Sequence, residues 1–348
     1  MAARRGRRSR GPRIARGESR SGPGGHPQSW KADPVTQNSI RTVRAVTVVT
    51  NPRAGHDVAD AAMARLRARG VEIAEVRAPS AAETVRLVRD SIAQGNGDAV
   101  VCIGGDGLIN VTLDAVAHTG VPLGMVPAGT GNDLARELGV PTEDPAAAAD
   151  LVADGKIRTI DLGRIEPSAP GSAPMWFVTV TGTGFDARVT LRANAMRWPK
   201  GRLRYTAAAL AEISGRFTVP YRVELTGAVT EGLTNPGVGS EVSTNAVMVA
   251  VGNTRTYGGG MLICPDAVLD DGLLDLTVVG GLSRVEMLRL LPALSAGKRQ
   301  NHPEVKQYRA AEITLTAPGA PATADGEPAG TLPITIRAVP SALTVLVP

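Results

Sequence analysis

The chain has few of the residues on which several classes of protein depend. Of its 348 residues, two are cysteine, four are histidine and 3% are aromatic. Two cysteines cannot build a disulfide-rich scaffold, and Cys102 and Cys264 both lie in apolar runs. We therefore expect buried free thiols and a reducing cytosol. The histidines show no ligand spacing, so we expect no zinc site.

Long apolar runs and an even charge distribution are also missing. No stretch reaches 18 apolar residues, so we expect no transmembrane helix.

The positive charge is concentrated at the start of the chain. Residues 1–31 contain eight arginines, Lys31 and one acidic residue, Glu18, so their net charge is +8. Since the whole chain has a net charge of +5, the remaining residues have a net charge of −3. We expect residues 1–43 to be a disordered basic tail and not a signal peptide, because they are rich in Gly, Pro and Ser and have no apolar segment. Attraction of the tail to anionic lipid is the alternative. Nucleic acid is not an expected partner, since no aromatic residues alternate with the arginines.

The most informative feature that is present is Gly104-Gly105-Asp106-Gly107, directly after the apolar run 99–103. Glycines permit positive φ and allow a ligand to approach the backbone closely. The backbone N–H groups of such a turn can donate hydrogen bonds to phosphate oxygens, and the aspartate can bind a magnesium ion that the phosphates also bind. A turn of this kind is, by itself, also common as a tight connection.

Two further segments repeat this arrangement. A strand over 121–126 is followed by Pro-Ala-Gly-Thr-Gly-Asn-Asp at 127–133, and a strand over 45–50 is followed by Asn-Pro-Arg-Ala-Gly at 51–55. In an open α/β sheet such loops meet at the carboxyl ends of the strands, where ligands bind. Together the three loops predict a nucleotide site.

The pattern of elements predicts two domains. Residues 44–162 alternate strands and helices, whereas strand-like runs dominate afterwards. We predict an open α/β domain over 44–162 plus 338–348 and a mainly antiparallel β-sandwich over 163–337. The predicted helices of the first part are 57–69, 80–94, 108–118, 131–138 and 145–154, and the later strands are 174–182, 219–226, 245–252, 273–280, 311–316 and 332–337.

The motifs together resemble a known family. GGDGLIN at 104–110 with PAGTGNDLAREL at 127–138 is similar to the diacylglycerol kinase catalytic-domain superfamily, which includes sphingosine kinases and bacterial soluble lipid kinases. NAD kinases and phosphofructokinases carry turns similar to GGDG, but the whole set is specific and covers about residues 44–348. RANAMRWPKGRLRY at 192–205 and NTRTYGGGMLICP at 253–265 especially resemble actinobacterial diacylglycerol kinases. The other matches are DLG at 161–163, TGTGFDARV at 181–189, YGGGMLICPDAVLDDGLLDL at 257–276 and ADGEP at 324–328.

The resemblance implies an activity. The first domain would bind ATP and Mg²⁺, and the β-rich domain would cover a lipid substrate. The implied reaction is the ATP-dependent phosphorylation of the free hydroxyl of diacylglycerol to phosphatidic acid, for phospholipid biosynthesis. The implied enzyme is cytoplasmic and peripheral at the inner membrane face. A homodimer is one assembly open to it, and the sequence does not fix the oligomeric state. Two alternatives stay open: a sphingoid base or another lipid alcohol as acceptor, and a nucleotide-binding regulatory protein with weak turnover.

The resemblance also assigns roles to residues. Glu327 would take the proton from the lipid hydroxyl, whose pKa lies far above 7; outside the family context, Asp-Gly-Glu is an ordinary acidic turn. Asp106, Asp133 and Asp161 would organise magnesium and the catalytic network. A separate structural magnesium would be held by Asp271 and by main-chain oxygens near Val268 and Leu273. The nucleotide would contact Asn51, Pro52, Arg53, Ala54, Gly55, Gly104, Gly105, Asp106, Gly107, Leu108, Ile109, Asn110 and Thr130.

Two positions depart from the family's pattern. Leu108 stands where the family has threonine, and Val111 where it has glutamate. The first change removes a hydroxyl contact to phosphate or metal, and the second removes a capping or network carboxylate. Because the backbone donors, Asp106 and Asn110 remain, we expect an active enzyme.

A basic and aromatic segment at 192–205 is the predicted membrane contact. Met196, Trp198, Leu203 and Tyr205 alternate there with five basic residues, Arg192, Arg197, Lys200, Arg202 and Arg204. Trp and Tyr favour the headgroup region, and Lys and Arg reach anionic headgroups. The alternative is a solvated loop and helix start whose apolar residues face the core of the second domain.

Overall fold

The computed structural model describes most of the chain. The described residues are 42–50, 56–167, 172–199, 201–213, 215, 218–229, 240–299 and 302–348.

The first part of the described chain alternates strands and helices. Local signals define several helix ends: Ser80 caps α2 through its hydroxyl, Gly95 ends it in the left-handed conformation, and Asp144 caps α5. The elements are β1 (Ala45–Thr50), α1 (His56–Ala68), β2 (Glu72–Val76), α2 (Ala81–Gln94), β3 (Ala99–Gly104), α3 (Asp106–Val116), β4 (Leu123–Pro127), α4 (Asp133–Glu137) and α5 (Pro145–Asp154).

The remainder is richer in strands, most of them antiparallel to their neighbours. Its elements are β5 (Lys156–Pro167), β6 (Met175–Phe177), β7 (Val180–Gly184), α6 (Phe185–Ala195), α7 (Arg202–Ile213), β8 (Val219–Thr226), β9 (Ser240–Ala246), β10 (Met248–Gly252), β11 (Thr256–Tyr257), β12 (Met261–Leu262), β13 (Leu274–Val279), α8 (Arg284–Ser295), β14 (Val305–Ala310), β15 (Glu312–Thr316), β16 (Pro321–Ala324), β17 (Glu327–Thr331) and β18 (Ile334–Val347).

One ten-stranded sheet continues from the first part into the second. Its main path is β2-β1-β3-β4-β18-β15-β8-β9, with β5 paired to β18 and β6 paired to β5. The strands β2, β1, β3 and β4 are parallel, and β18 joins this group by parallel pairing of Val345 with Leu123. The same strand pairs antiparallel with β5 and β15. The last strand of the chain therefore joins the parallel and antiparallel parts of the sheet.

A second, six-stranded antiparallel sheet packs against the antiparallel part of the first. Its order is β14-β13-β10-β7-β16-β17. Apolar side chains such as Val223, Val251 and Leu315 fill the space between the two sheets and are completely buried. The other face of the six-stranded sheet is covered by α6 and α7, with Phe185 and Ala208 in that core. The predicted fold class, an open α/β part and a mainly antiparallel β-sandwich, is confirmed.

Several helix and strand boundaries in the structure differ from the predicted ones. The helix predicted to begin at residue 108 begins at Asp106, and the strand predicted over 332–337 extends to Val347. A register shift between Val339 and Leu343 and a positive φ at Ser341 interrupt the pattern of β18 without ending the strand. Among the residues that the structure describes, no helix is long and apolar enough to cross a membrane.

Candidate active site

Two glycine-bearing turns meet at the carboxyl edge of the parallel strands. Gly104 ends β3, and Asp106 begins α3. Ala128 N, just after β4, donates to Gly104 O at 2.9 Å. A Cβ placed on Gly129 would lie 2.5 Å from Gly105 Cα, so the two backbones approach closer than side chains allow. The predicted convergence of these two loops is present.

Asp106 and Asp133 form an acidic pair at this edge. Asp133 N donates to Asp106 Oδ1 at 2.9 Å. A Cβ placed on Gly131 would lie 2.5 Å from Asp106 Oδ2 and 3.3 Å from Asp133 Oδ2, so both carboxylates border that glycine. Burial and the negative charges of Asp133 and Asp325 raise the pKa of Asp106, hydrogen bonds from the backbone lower it, and the net result is a pKa of about 6.

Asn132 shapes the second turn and was not among the predicted site residues. It has φ 54°, and its side chain accepts from Gly129 N at 3.0 Å and donates to Gly129 O at 2.9 Å. These bonds close the turn before α4 and point Asp133 toward the site. Asparagine is among the residues that tolerate a left-handed conformation, and this is the signal in the sequence that could have identified it.

The carboxylate of Asp133 is bound by a loop of the β-rich part of the chain. Gly259 N donates to both of its oxygens, at 2.9 and 3.1 Å, and Gly260 N donates to Oδ1 at 2.9 Å. Gly258, Gly259 and Gly260 all have positive φ, which explains the run of three glycines. Asp133 therefore joins the turn before α4 to the Gly258–Gly260 turn of the β-rich part of the chain.

Glu327 faces the first turn of α3. Its Oε1 would lie 3.4 Å from a Cβ placed on Gly107, and its side chain is exposed. The positive end of the helix dipole and the N–H groups at a helix N-terminus suit phosphate oxygens. A carboxylate in this position lies beside the place where a phosphate chain would bind.

Asp325, which was not among the predicted site residues, fixes the turn that carries Glu327. Its Oδ2 accepts from Asn110 Nδ2 and Val178 N, both at 3.0 Å, and its Oδ1 accepts from Thr179 N at 2.8 Å and from Thr179 Oγ1. Its φ is 49°. Burial raises the pKa of Asp325, and these hydrogen bonds lower it. The turn is thus anchored to α3 and to the segment before β7.

Asp161 lies in a different acidic group. Its carboxylate accepts from Gly272 N at 2.7 Å and from Ser341 N at 2.8 Å. Burial raises the pKa of Asp161, and the negative charges of Asp271 and Asp270 also raise it, whereas the two hydrogen bonds lower it. The charges that act on Asp106 come instead from Asp133 and Asp325. The structure therefore brings together Asp106 and Asp133 but places Asp161 with the 269–272 loop.

Asp271 belongs to this second acidic group. Its Oδ1 accepts from Leu273 N at 3.0 Å, and its Oδ2 pairs with Arg309, which also contacts Asp275. The side chain of Val268 is exposed. Carboxylate and main-chain oxygens are the ligands Mg²⁺ prefers, but a cation at Asp271 would share that carboxylate with Arg309.

The other predicted nucleotide contacts differ in their surroundings. The side chain of Ile109 is buried, and Leu108 packs against the core, so these positions offer only backbone groups to a ligand. The side-chain amide of Asn110 donates to Asp325 and to Trp176 O, so it stabilises the turn that carries Glu327. Thr130 is exposed. Residues 51–55 lie outside the described residues.

The acidic pair fits a divalent cation. Asp106 and Asp133 both border Gly131 with a carboxylate oxygen. The charge of Asp325 also acts on Asp106, but the oxygens of Asp325 accept hydrogen bonds from Asn110, Val178 and Thr179. Arg136 Nη1 lies 3.8 Å from Asp133 Oδ1. Within the described ranges, no three His, Cys, Asp or Glu side chains form a ready-made metal cluster. Since Mg²⁺ is usually held by one or two carboxylates together with substrate phosphates, this donor set suits it.

The fold and these groups define a class of protein. Glycine turns at the carboxyl edge of a parallel sheet offer N–H groups to phosphates, and an acidic pair beside them suits a metal. A carboxylate on the facing domain can accept a proton. Such an arrangement serves phosphoryl transfer, which needs positioning and charge stabilisation more than covalent help.

Comparison with known proteins identifies the family. Residues 45–165 match the diacylglycerol kinase catalytic domain, and residues 179–347 match the YegS C-terminal NAD kinase beta sandwich-like domain. The chain is 45% identical to the diacylglycerol kinase of Mycobacterium tuberculosis over 87% of this chain and 95% of the relative. It is 31% identical to a probable YegS-like lipid kinase of Xanthomonas oryzae pv. oryzae over 82% of this chain and 90% of that one. The chain belongs to the diacylglycerol kinase family and is a lipid kinase that uses ATP.

A solved structure shares the fold. A diacylglycerol kinase from Bacillus anthracis str. Sterne superposes with a TM-score of 0.66 over 88% of this chain and 98% of that chain, at 21% identity. Likeness at this level of identity concerns the architecture alone.

Proposed function

We propose that this lipid kinase transfers the γ-phosphoryl group of ATP to the free hydroxyl of diacylglycerol and supplies phosphatidic acid for phospholipid biosynthesis. The observation that carries the choice of acceptor is the 45% identity, over nearly the whole of both chains, to a protein named diacylglycerol kinase. The position of Glu327 beside the first turn of α3 supports a reaction at a hydroxyl. As the lipid oxygen attacks phosphorus, its proton passes to the carboxylate of Glu327.

In this mechanism the protein positions the reactants. The N–H groups around Gly105 and Gly107 bind phosphate oxygens, and Asp325 holds the turn that presents Glu327. Asp106 and Asp133 would hold Mg²⁺. When bound, Mg²⁺ reduces the negative charge that the phosphates present to the incoming oxygen.

A panel of acceptors tests the choice of substrate. Radiolabelled ATP is supplied with mixed micelles that contain diacylglycerol, a sphingoid base, another lipid alcohol, or no acceptor. We expect label chiefly in phosphatidic acid. Label chiefly in a sphingoid base or another alcohol would replace the proposed acceptor, and absence of lipid-dependent turnover would favour a regulatory nucleotide-binding protein.

We further propose that a second magnesium ion binds at Asp271 with main-chain oxygens near Val268 and Leu273. Asp271→Ala is then expected to lower the melting temperature and to remove the rise that Mg²⁺ causes in it, because bound metal stabilises only the folded state. Activity should also fall. Melting is measured with Mg²⁺ and with EDTA.

Arg309→Ala is the control for this prediction, because Arg309 is the ionic partner of Asp271. This variant is expected to melt earlier in both solutions while the increment due to Mg²⁺ survives. If Asp271→Ala shows the same Mg²⁺ increment as wild type, the magnesium assignment is wrong, and Arg309 alone neutralises the carboxylate.

The surface formed by 192–205 is our proposed contact with anionic lipid. The exposed fractions of Trp198 and Leu203 are 82% and 69%, so neither faces the core of the second domain. Met196 does pack against that core, and Arg192 pairs with Glu212. Arg197 is exposed, and Lys200 lies outside the described residues. An exposed Trp and Leu beside basic groups match the chemistry of the headgroup region.

Reversal of charge at this surface tests the membrane contact. Arg197→Glu with Lys200→Glu is expected to weaken binding to anionic vesicles and to slow turnover on them, while turnover of a soluble short-chain diacylglycerol is kept. Added salt should reproduce the effect in wild type, because the Debye length falls from about 10 Å at 0.1 M to about 3 Å at 1 M. Lys156→Glu is the matched control, because Lys156 is the exposed first residue of the otherwise largely buried strand β5. Equal loss on soluble and vesicle substrates would contradict the membrane role.

A further inference from the structure

Asp186 is a carboxylate that the proposed mechanism leaves without a role. It lies in the first turn of α6, and its Oδ2 is packed so closely on Gly182 that a Cβ there would lie 1.9 Å away. Its Oδ1 accepts a hydrogen bond from Tyr257 Oη at 2.5 Å. Burial raises the pKa of Asp186 to about 6, and the bond from Tyr257 opposes that change. Charged groups in such surroundings are costly unless they are hydrogen-bonded.

Tyr257 connects this carboxylate to the active site. It ends β11, and β11 and β12 form a hairpin, Thr256–Leu262, whose turn is Gly258-Gly259-Gly260. The amides of Gly259 and Gly260 hold the carboxylate of Asp133. Burial and the nearby charge of Asp186 raise the pKa of Tyr257 well above its ordinary value, so the phenol keeps its proton and donates. Tyr257, which donates to Asp186, is therefore followed directly in the chain by the glycine turn that binds Asp133.

The hairpin is held at two places by different elements. On the nucleotide side it reaches α4, through Asp133 and through the ion pair of Arg255 Nε with Glu137 Oε1 at 2.8 Å. At its other anchoring point, Tyr257 fixes the hairpin to α6 through Asp186. Three consecutive glycines with positive φ are intrinsically flexible. The orientation of their amides therefore depends on how the ends of the hairpin are fixed.

We propose that Asp186 and Tyr257 are positioning residues for phosphoryl transfer. Their hydrogen bond fixes the Thr256–Leu262 hairpin so that Gly259 N and Gly260 N hold the carboxylate of Asp133 in its working orientation. The inference rests on the proposed role of Asp133 in catalysis. Supporting groups of this kind typically change activity or metal affinity by about 10- to 100-fold when they are removed.

Two variants break the bond from opposite sides. Tyr257→Phe removes only the hydroxyl, and Gly182→Ala displaces Asp186 without altering either partner. Tyr308→Phe, on β14, is the matched control. We expect both test variants to increase amide hydrogen exchange across 256–262 and to lower kcat by about 10- to 100-fold, with the KM for lipid little changed. Asp186→Asn, which keeps an acceptor for Tyr257, should retain more activity than Asp186→Ala.

A double variant, Tyr257→Phe with Asp133→Asn, tests whether Tyr257 acts through Asp133. In an Asp133→Asn background, Tyr257→Phe should cause little further loss of kcat, because both act on one group. Unchanged exchange at 256–262 in Tyr257→Phe, or a full further loss in the Asp133→Asn background, would overturn the inference. Exchange requires no substrate, so it tests the contact even if the acceptor is not diacylglycerol. Near-normal turnover of Asp133→Asn alone would overturn the proposed catalytic role of Asp133 and, with it, the positioning role.

Discussion

Glu327→Gln is expected to lower kcat by roughly 10²- to 10⁴-fold, the usual range for loss of a general base. The amide keeps the shape of the side chain but does not accept the proton of the lipid hydroxyl. Glu327 is exposed, and its Oε1 would lie 3.4 Å from a Cβ placed on Gly107, so we expect little change in the fold or in ATP affinity. Steady-state phosphorylation of diacylglycerol gives kcat, and calorimetry gives ATP affinity.

The control for this prediction is Glu143→Gln, an exposed glutamate in the turn before α5. It should leave kcat unaltered. If Glu327→Gln keeps near-normal turnover, Glu327 is not the base. If ATP affinity falls in parallel with kcat, the residue acts on the nucleotide rather than on the acceptor.

The sequence was sufficient to predict that the loops after β3 and β4 meet at the sheet edge; the third predicted loop, 51–55, lies outside the described residues. Parallel strands place their carboxyl ends together, and the turns after β3 and β4 are therefore neighbours whatever the details of packing. The close approach of Gly105 and Gly129 follows from that topology. The sandwich could also be predicted, because its strands are short apolar or alternating runs. Burial alternates along β8, whereas β7, β10 and β13 are buried throughout.

The sequence could not show which carboxylates share a site. Asp325 binds Asn110 and Thr179, which lie 215 and 146 positions away, so only tertiary structure brings them together. Asp161 was grouped with Asp106 by resemblance, yet its hydrogen bonds run to Gly272 and Ser341. Local pattern carries no information about pairings at such distances.

The continuity of the final strand was not predicted: the strand was ended at residue 337, and residues 338–348 were assigned to the first domain. Pro340 favours a strand end in the sequence, and in the structure Ser341 beside it has a positive φ. The sheet tolerates both because the register with β5 shifts at this point. Ser341 N then donates to Asp161, so the irregularity fixes a buried carboxylate.

Asp106→Asn is expected to have opposite effects on activity and stability. The amide still accepts from Asp133 N, so the turn should persist. It is a poor ligand for Mg²⁺ compared with a carboxylate, and we expect kcat to fall by about 10²-fold or more, the range for loss of a group that stabilises transition-state charge. Mg²⁺ should also bind more weakly, which calorimetry with Mg²⁺ and ATP measures.

The effect on stability follows from the raised pKa. Because the folded-state pKa of Asp106 is about 6 and its ordinary value is 3.8, the folded protein binds this proton more tightly than the unfolded chain does. The resulting stabilisation is complete below about pH 4 and is lost as the pH rises through about 6. At pH 8 without metal the ionised carboxylate therefore lacks this stabilisation, and the neutral amide should raise the free energy of unfolding by roughly 1–3 kcal/mol.

Denaturant unfolding in EDTA at pH 8 and at pH 5 measures this difference, which should be smaller at pH 5. Asp114→Asn, an exposed aspartate of the same helix, is the control and should show no such dependence on pH. Added Mg²⁺ and ATP should then stabilise wild type more than the variant, because bound ligands favour the folded state by mass action. A variant with wild-type turnover, or one less stable than wild type at pH 8 in EDTA, would show that Asp106 is not the buried anionic ligand that the acidic pair requires.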